Sequence, residues 1–214
     1  MTANAILEDT ALAALISSKI CHDLAGQIGA INNGLELLEE ENDEDTRYYA
    51  LQLIHNSAKA AWAQLDFNRL AFGAASSLGA VVPSTHIEQV ARRYIENGKR
   101  RLHWQSEVEE IEKDIAKIIL SLLAIAVTAL PAGGDFYVKV CVPKSKHRIL
   151  LAILCRGRSA RIPEGVADIF AGKEMAIDGR LVVAYFAARL AEERAFKIEV
   201  MKQEDDVLFT LEPR

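Results

Sequence analysis

Leu24, Ile28, Ile31, Leu35 and Leu38 stand alternately four and three residues apart, which lines them along one side of a helix. After an acidic turn at residues 39–45 the spacing resumes with Leu51, Ile54, Ala58, Ala61, Leu65, Asn68 and Phe72. Two long helices separated by one short turn predict an antiparallel hairpin. A hairpin alone has few ways to cover a seam on both of its helices. Pairing with a second copy into a four-helix bundle buries it, so a homodimer is expected. The alternative is that the rest of the chain folds back over the seam.

Beyond the hairpin the pattern changes. Gly73, Ala74, Ala75, Ser76, Ser77, Leu78, Gly79 and Ala80 form a small-residue stretch that ends in Val81, Val82 and Pro83, which reads as a linker. Two domains follow, at residues 1–76 and 81–214. The second is read as a helix at 85–97, a strand at 102–108 and a long buried helix at 111–130. A Pro131-Ala132-Gly133-Gly134 turn then leads to strands at 136–142 and 148–154, a long loop, a helix at 179–193, and strands at 197–201 and 207–211. The fold class is α+β: a helical hairpin followed by an α/β sandwich with its helices on one face of a mostly antiparallel sheet.

Composition narrows the function. Twenty-five Lys and Arg against 30 Asp and Glu give a formal charge of -5 with no basic stripe, which argues against nucleic acid as a ligand. The longest apolar run, residues 118–130, is broken by Ser121 and Thr128 and falls short of the roughly 20 residues a bilayer span needs. No membrane association is expected. The opening MTANAILEDT lacks a basic region followed by an apolar one, so no signal peptide is expected. Cys21, Cys141 and Cys155 form no CxxC pair and are odd in number, which fits a reduced, cytoplasmic setting. His86, His103 and His147 have no metal-ligand spacing, and Trp62 and Trp104 read as packing anchors.

The chemistry concentrates at His22. At about 100° per residue it lies roughly opposite Ile31 and points away from the seam. Ser18, Gly26, Gly29 and Asn33 share its face, with Ala25 and Ala30 beside them, so the surface around the imidazole is nearly bare. Glycine inside a helix costs about 1 kcal/mol relative to alanine, and Gly26, Gly29 and Gly34 all fall inside this one. A surface that admits a bulky partner close to the histidine explains the expense. An exposed imidazole titrates near 6.5 and offers a nucleophilic nitrogen at neutral pH, able to take a phosphoryl group and return it. Lys19, one turn earlier, is placed to steady the added negative charge, and Asp23 to hold the ring proton on one nitrogen. On spacing alone, an ordinary surface histidine with glycines serving helix packing remains the alternative. His55, beside Ile54, has no bare surface around it and reads as structural.

The run His22-Asp23-Leu24-Ala25-Gly26-Gln27-Ile28-Gly29-Ala30-Ile31, followed by Asn32-Asn33-Gly34-Leu35-Glu36-Leu37-Leu38, resembles the phosphoacceptor box of histidine kinases. More closely it resembles the alphaproteobacterial histidine phosphotransferases, whose dimeric kinase-like hairpin precedes a degenerate ATP-binding domain. Gln27 stands where the kinase box usually has proline, and Gly26 where bifunctional kinases carry Thr or Asn for phosphatase activity, so that activity is not implied. The resemblance implies that His22 is the phosphoacceptor in a phosphorelay. It takes the group from the receiver of a hybrid histidine kinase and gives it to response-regulator receivers, of the cell-cycle type, with Mg²⁺ supplied by the receiver. By the same analogy Gly29, Ala30, Asn33, Gly34 and Leu37, continuing the flank that carries Ser18 and Gly26, contact the receiver. In the second domain, Ser121-Leu122-Leu123-Ala124-Ile125-Ala126 replaces the kinase run whose asparagines help hold magnesium. Cys155-Arg156-Gly157-Arg158-Ser159 lacks the adenine-reading carboxylate. Gly179-Arg180-Leu181-Val182-Val183-Ala184 lacks the later glycines of the phosphate loop. No cofactor and no ATP binding are expected, and the domain becomes a docking surface on which Arg156, Arg158 and Arg161 face the acidic surface of a receiver. Two alternatives stand: an ATP-dependent histidine kinase with an atypical pocket, and a non-catalytic dimeric scaffold.

Overall fold

The protein is described here by a computed structural model covering residues 7–40, 43–73, 80–143 and 148–214. Two helices come first, α1 (Asp9–Glu40) and α2 (Glu44–Phe72), of 32 and 29 residues. Asp43 starts α2 by accepting a hydrogen bond from the Thr46 amide at 3.0 Å, and that bond holds its carboxyl below the usual range. The helices run antiparallel and approach closely at Gly34, where a Cβ would lie 2.6 Å from Ile54 Cγ1 and 3.2 Å from the Ala50 carbonyl oxygen. The repeated apolar spacing divides on closer view. Leu24, Ile31 and Leu38 are partly covered, whereas Ile28 and Leu35, expected on the same seam, remain 50% and 47% exposed in the single chain.

The rest of the chain runs β1 (Val81–Pro83), α3 (Ser84–Ile95), β2 (Arg100–Ser106), β3 (Glu110–Glu112), α4 (Lys113–Ala129), β4 (Gly134–Cys141), β5 (Leu150–Arg156), α5 (Val166–Phe170), α6 (Val182–Glu193), β6 (Phe196–Gln203) and β7 (Asp206–Pro213). Five strands form one sheet in the order β2-β4-β5-β7-β6. All its pairs are antiparallel except β2 with β4, which α4 joins as a crossover. The short β1 and β3 pair separately, Val82 opposite Ile111. Strand alternation decides the core: Phe136, Val138 and Val140 turn under the helices while Tyr137 and Lys139 face out. Helix α4 is buried on nearly every side, as its unbroken apolar run requires.

The α/β domain rests on one end of the hairpin. Phe67 of α2 stacks on Tyr94 of α3 with centroids 3.9 Å apart, and Arg93 Nη2 pairs with Asp66 at 2.5 Å. At the start of α1, the Leu7 amide donates to the Tyr185 hydroxyl at 2.9 Å and Arg189 reaches Asp9 at 3.0 Å. The domain therefore does not fold back over Ile28, Leu35, Leu51 and Trp62, which stay exposed. Most of the expected linker, at residues 74–79, lies outside the described residues, as does His147.

Candidate functional site

Helix α1 carries His22 outward, with its side chain 87% exposed. Cβ atoms built on Gly26 or Gly29 would meet nothing within 4 Å, so the surface one and two turns beyond the imidazole is bare backbone. Ser18, Asn33 and Leu37 are exposed along the same flank, and Ala30 is half-buried. Gly34 requires a correction. It is buried against α2, and its missing side chain lets the Ala50 and Ile54 region of that helix approach, so it belongs to the hairpin's packing and not to the open flank.

Asp23 lies beside His22 yet turns elsewhere. Lys19 Nζ donates to both carboxylate oxygens of Asp23, while His22 Nδ1 is 3.5 Å from Asp23 Oδ1, too long for a hydrogen bond. The Asp23 side chain is only 25% exposed because it sits where α1 approaches the α/β domain. Its charge is felt by the Tyr94 phenol, which burial first and Asp23 second push up to about 12, against an opposing contribution from Arg100. Tyr94 and Arg100 were not foreseen from the sequence. They lie some seventy residues beyond Asp23, and no spacing rule connects a helix to a partner that distant.

The segment leading into α6, expected from the sequence to lack the glycines of a phosphate loop, packs against the rest of its domain. Leu181 and Val183 are buried, and Gly165, at φ +78°, is hemmed by Leu181 Cδ2 and Met175 Cε, each about 3.0 Å from a would-be Cβ. Asp178 Oδ1 accepts from the Arg180 and Leu181 amides at 2.9 and 3.1 Å, closing the turn that precedes α6. Those bonds and the Arg180 guanidinium hold the Asp178 carboxyl below its ordinary value. Gly157 serves close packing: a Cβ there would lie 2.6 Å from the Gly133 carbonyl oxygen. Cys155 is buried, which pushes its thiol up to about 12. Among the basic residues of this loop, Arg156 is committed to Asp206 at 2.9 Å, and Arg158 and Arg161 are exposed. Among the described residues no cluster of His, Cys, Asp or Glu is arranged to hold a metal ion, and no helix is long and apolar enough to cross a membrane.

Residues 84–206 match the family described as histidine phosphotransferase C-terminal domain. Over 204 residues the chain is 37% identical to the protein phosphotransferase ChpT of Brucella abortus (strain 2308), covering 94% of this chain and 95% of that one. A solved bacterial phosphotransferase superposes with a TM-score of 0.88 at 35% identity, over 99% of this chain and 100% of that one. The histidine kinase domain of the Erythrobacter litoralis EL346 blue-light-activated kinase superposes at 0.50 with 12% identity, over 88% and 94% of the two chains, a likeness of fold alone.

Proposed function

Since the chain belongs to the histidine phosphotransferase family, we propose that His22 carries a phosphoryl group from the receiver aspartate of a hybrid kinase to the receiver aspartates of response regulators. The observation that carries this reading is an imidazole 87% exposed on a helix face that Gly26 and Gly29 leave free of side chains. A receiver can bring its aspartyl phosphate to the ring over Gly26 and Gly29, where the helix presents only backbone.

In the transfer, the lone pair on His22 Nε2 attacks phosphorus, an N–P bond forms, and the bond from phosphorus to the receiver's carboxylate oxygen breaks with its electron pair leaving on that oxygen. The ring retains its Nδ1 proton and faces Asp23; the reverse step returns the group to a second receiver. Lys19, one turn from His22, supplies a cation beside the arriving phosphoryl oxygens. Mg²⁺ belongs to the receiver and not to this chain. Ser18, Gly26, Gly29, Ala30, Asn33 and Leu37 form the docking flank. Ile28, Leu35, Leu51 and Trp62 supply the apolar face on which a second copy closes a four-helix bundle in the cytoplasm. ATP plays no part: the turn that Asp178 closes ahead of α6 and the buried Leu181 and Val183 support this.

The test offers the purified chain either ATP or a pre-phosphorylated receiver with Mg²⁺, and measures acid-labile phosphate. Label from the receiver alone, absent in His22→Ala, is expected. Label from ATP would make the protein a kinase, and none from a competent receiver would make it a scaffold.

A further inference from the structure

An imidazole attacks through Nε2 only when its proton sits on Nδ1, and which nitrogen holds that proton is set by the hydrogen bond the other makes. The neighbour able to fix it is Asp23, and that carboxylate is engaged elsewhere. Lys19 Nζ donates to both of its oxygens, and the nearer oxygen stays 3.5 Å from His22 Nδ1. Lys19 and Asp23 are four residues apart on one helix, so the pair forms without help from any partner. The pair is also partly sheltered, with side chains 32% and 25% exposed, while the ring beside it is in open water. From the elements packed nearby, the Tyr94 phenol of α3 senses the Asp23 charge, and the Arg100 guanidinium of β2 opposes that influence at the same phenol.

We propose that Lys19 is a positioning residue that withholds Asp23 from His22 in the resting protein and releases it when a receiver's phosphoryl group arrives. This rests on His22 being the phosphoacceptor. A phosphoryl group at the bare flank presents more negative charge to Lys19 than one carboxylate does, and draws the ammonium away. Asp23 then turns to accept from Nδ1–H. The ring loses its Nε2 proton to water and takes one at Nδ1, and the freed Nε2 lone pair forms the N–P bond as the receiver's P–O bond breaks. The residue that steadies the phosphoryl group is thus the one whose departure arms the nucleophile. Until a charged donor docks, the exposed histidine stays a poor nucleophile at Nε2.

The experiment reads the His22 tautomer in the full-length, unphosphorylated protein by long-range ¹H–¹⁵N NMR at about pH 8, where an ordinary imidazole is neutral. Lys19→Gln is expected to raise the ratio of Nδ1–H to Nε2–H roughly tenfold, the scale of one hydrogen bond to a charged group. Lys19→Arg keeps the pairing and the resting ratio, and Lys19→Gln combined with Asp23→Asn loses the rise. An unchanged ratio in Lys19→Gln, or a rise that persists without the Asp23 carboxylate, overturns the proposal. The receiver-to-His22 assay on the native chain is run alongside. Transfer with an unmoved tautomer removes the latch alone, whereas a moved tautomer without transfer leaves Lys19 restraining the ring in the resting protein and overturns both the phosphorelay reading and the release step that rests on it.

Discussion

Along the hairpin, Ile28, Leu35, Leu51 and Trp62 remain in water, while in the α/β domain Leu120, Phe136, Ile153 and Phe209 are completely sealed. Glycines divide the same way. Gly26 and Gly29 border open space, whereas Gly133, Gly134 and Gly157 hold backbones against one another where any side chain would collide. The α/β domain thus completes its core on its own. The hairpin leaves an apolar face and His22 open to solvent. What a region leaves unburied tells more about its function than what it buries.

The strongest challenge to this contrast is to spoil the unfinished apolar face. Leu35→Glu places a carboxylate in the proposed bundle core and is expected to weaken self-association by about 100-fold or more, read by analytical ultracentrifugation, with the monomer's helix content retained. Dimerisation unchanged in Leu35→Glu would show that another surface mediates it. Next in size are the glycines. Gly34→Ala pushes a methyl into Ile54 and is expected to cost about 1–3 kcal/mol in denaturant unfolding. Gly26→Ala and Gly29→Ala touch nothing and are each expected to gain about 1 kcal/mol of helix stability while slowing receiver transfer about tenfold or more. Equal effects at Gly34 and Gly29 would erase the distinction between packing and docking glycines. The smallest effect is in the α/β domain. The Asp178 carboxyl is held below its ordinary 3.8, so its stabilisation is present above that value and is lost as pH falls through the lowered one. The melting temperature of Asp178→Asn should therefore fall below that of the native chain at pH 7 and approach it toward pH 3.

The long elements were legible because periodicity survives in them. The buried helix expected at 111–130 is α4 at Lys113–Ala129, and the strand expected at 136–142 is β4 at Gly134–Cys141. Strands β1 and β3, of three residues each, and α5, of five, are too short to show a period, and they were absorbed into a linker, a helix start and a loop. The parallel pairing of β2 with β4 follows from the crossover α4 and was hidden by the hairpin-like spacing of the later strands. At the candidate site, the open surroundings of His22 could be read from a single helical face. Gly34, twelve residues on and about 120° around the helix, already pointed toward α2 by the same geometry; assigning it to the docking flank followed the family resemblance instead. Tyr94 comes under the influence of Asp23 and Arg100 only through tertiary packing, and no local pattern encodes that.

The account rests most directly on where a phosphoryl group resides after transfer. The full-length chain, incubated with a phosphorylated receiver and Mg²⁺ and separately with ATP, is examined by ³¹P NMR and by tandem mass spectrometry. The account predicts one N-phosphoryl signal, on Nε2 of His22, formed from the receiver and not from ATP; phosphate on any other residue, or on His22 from ATP alone, contradicts it.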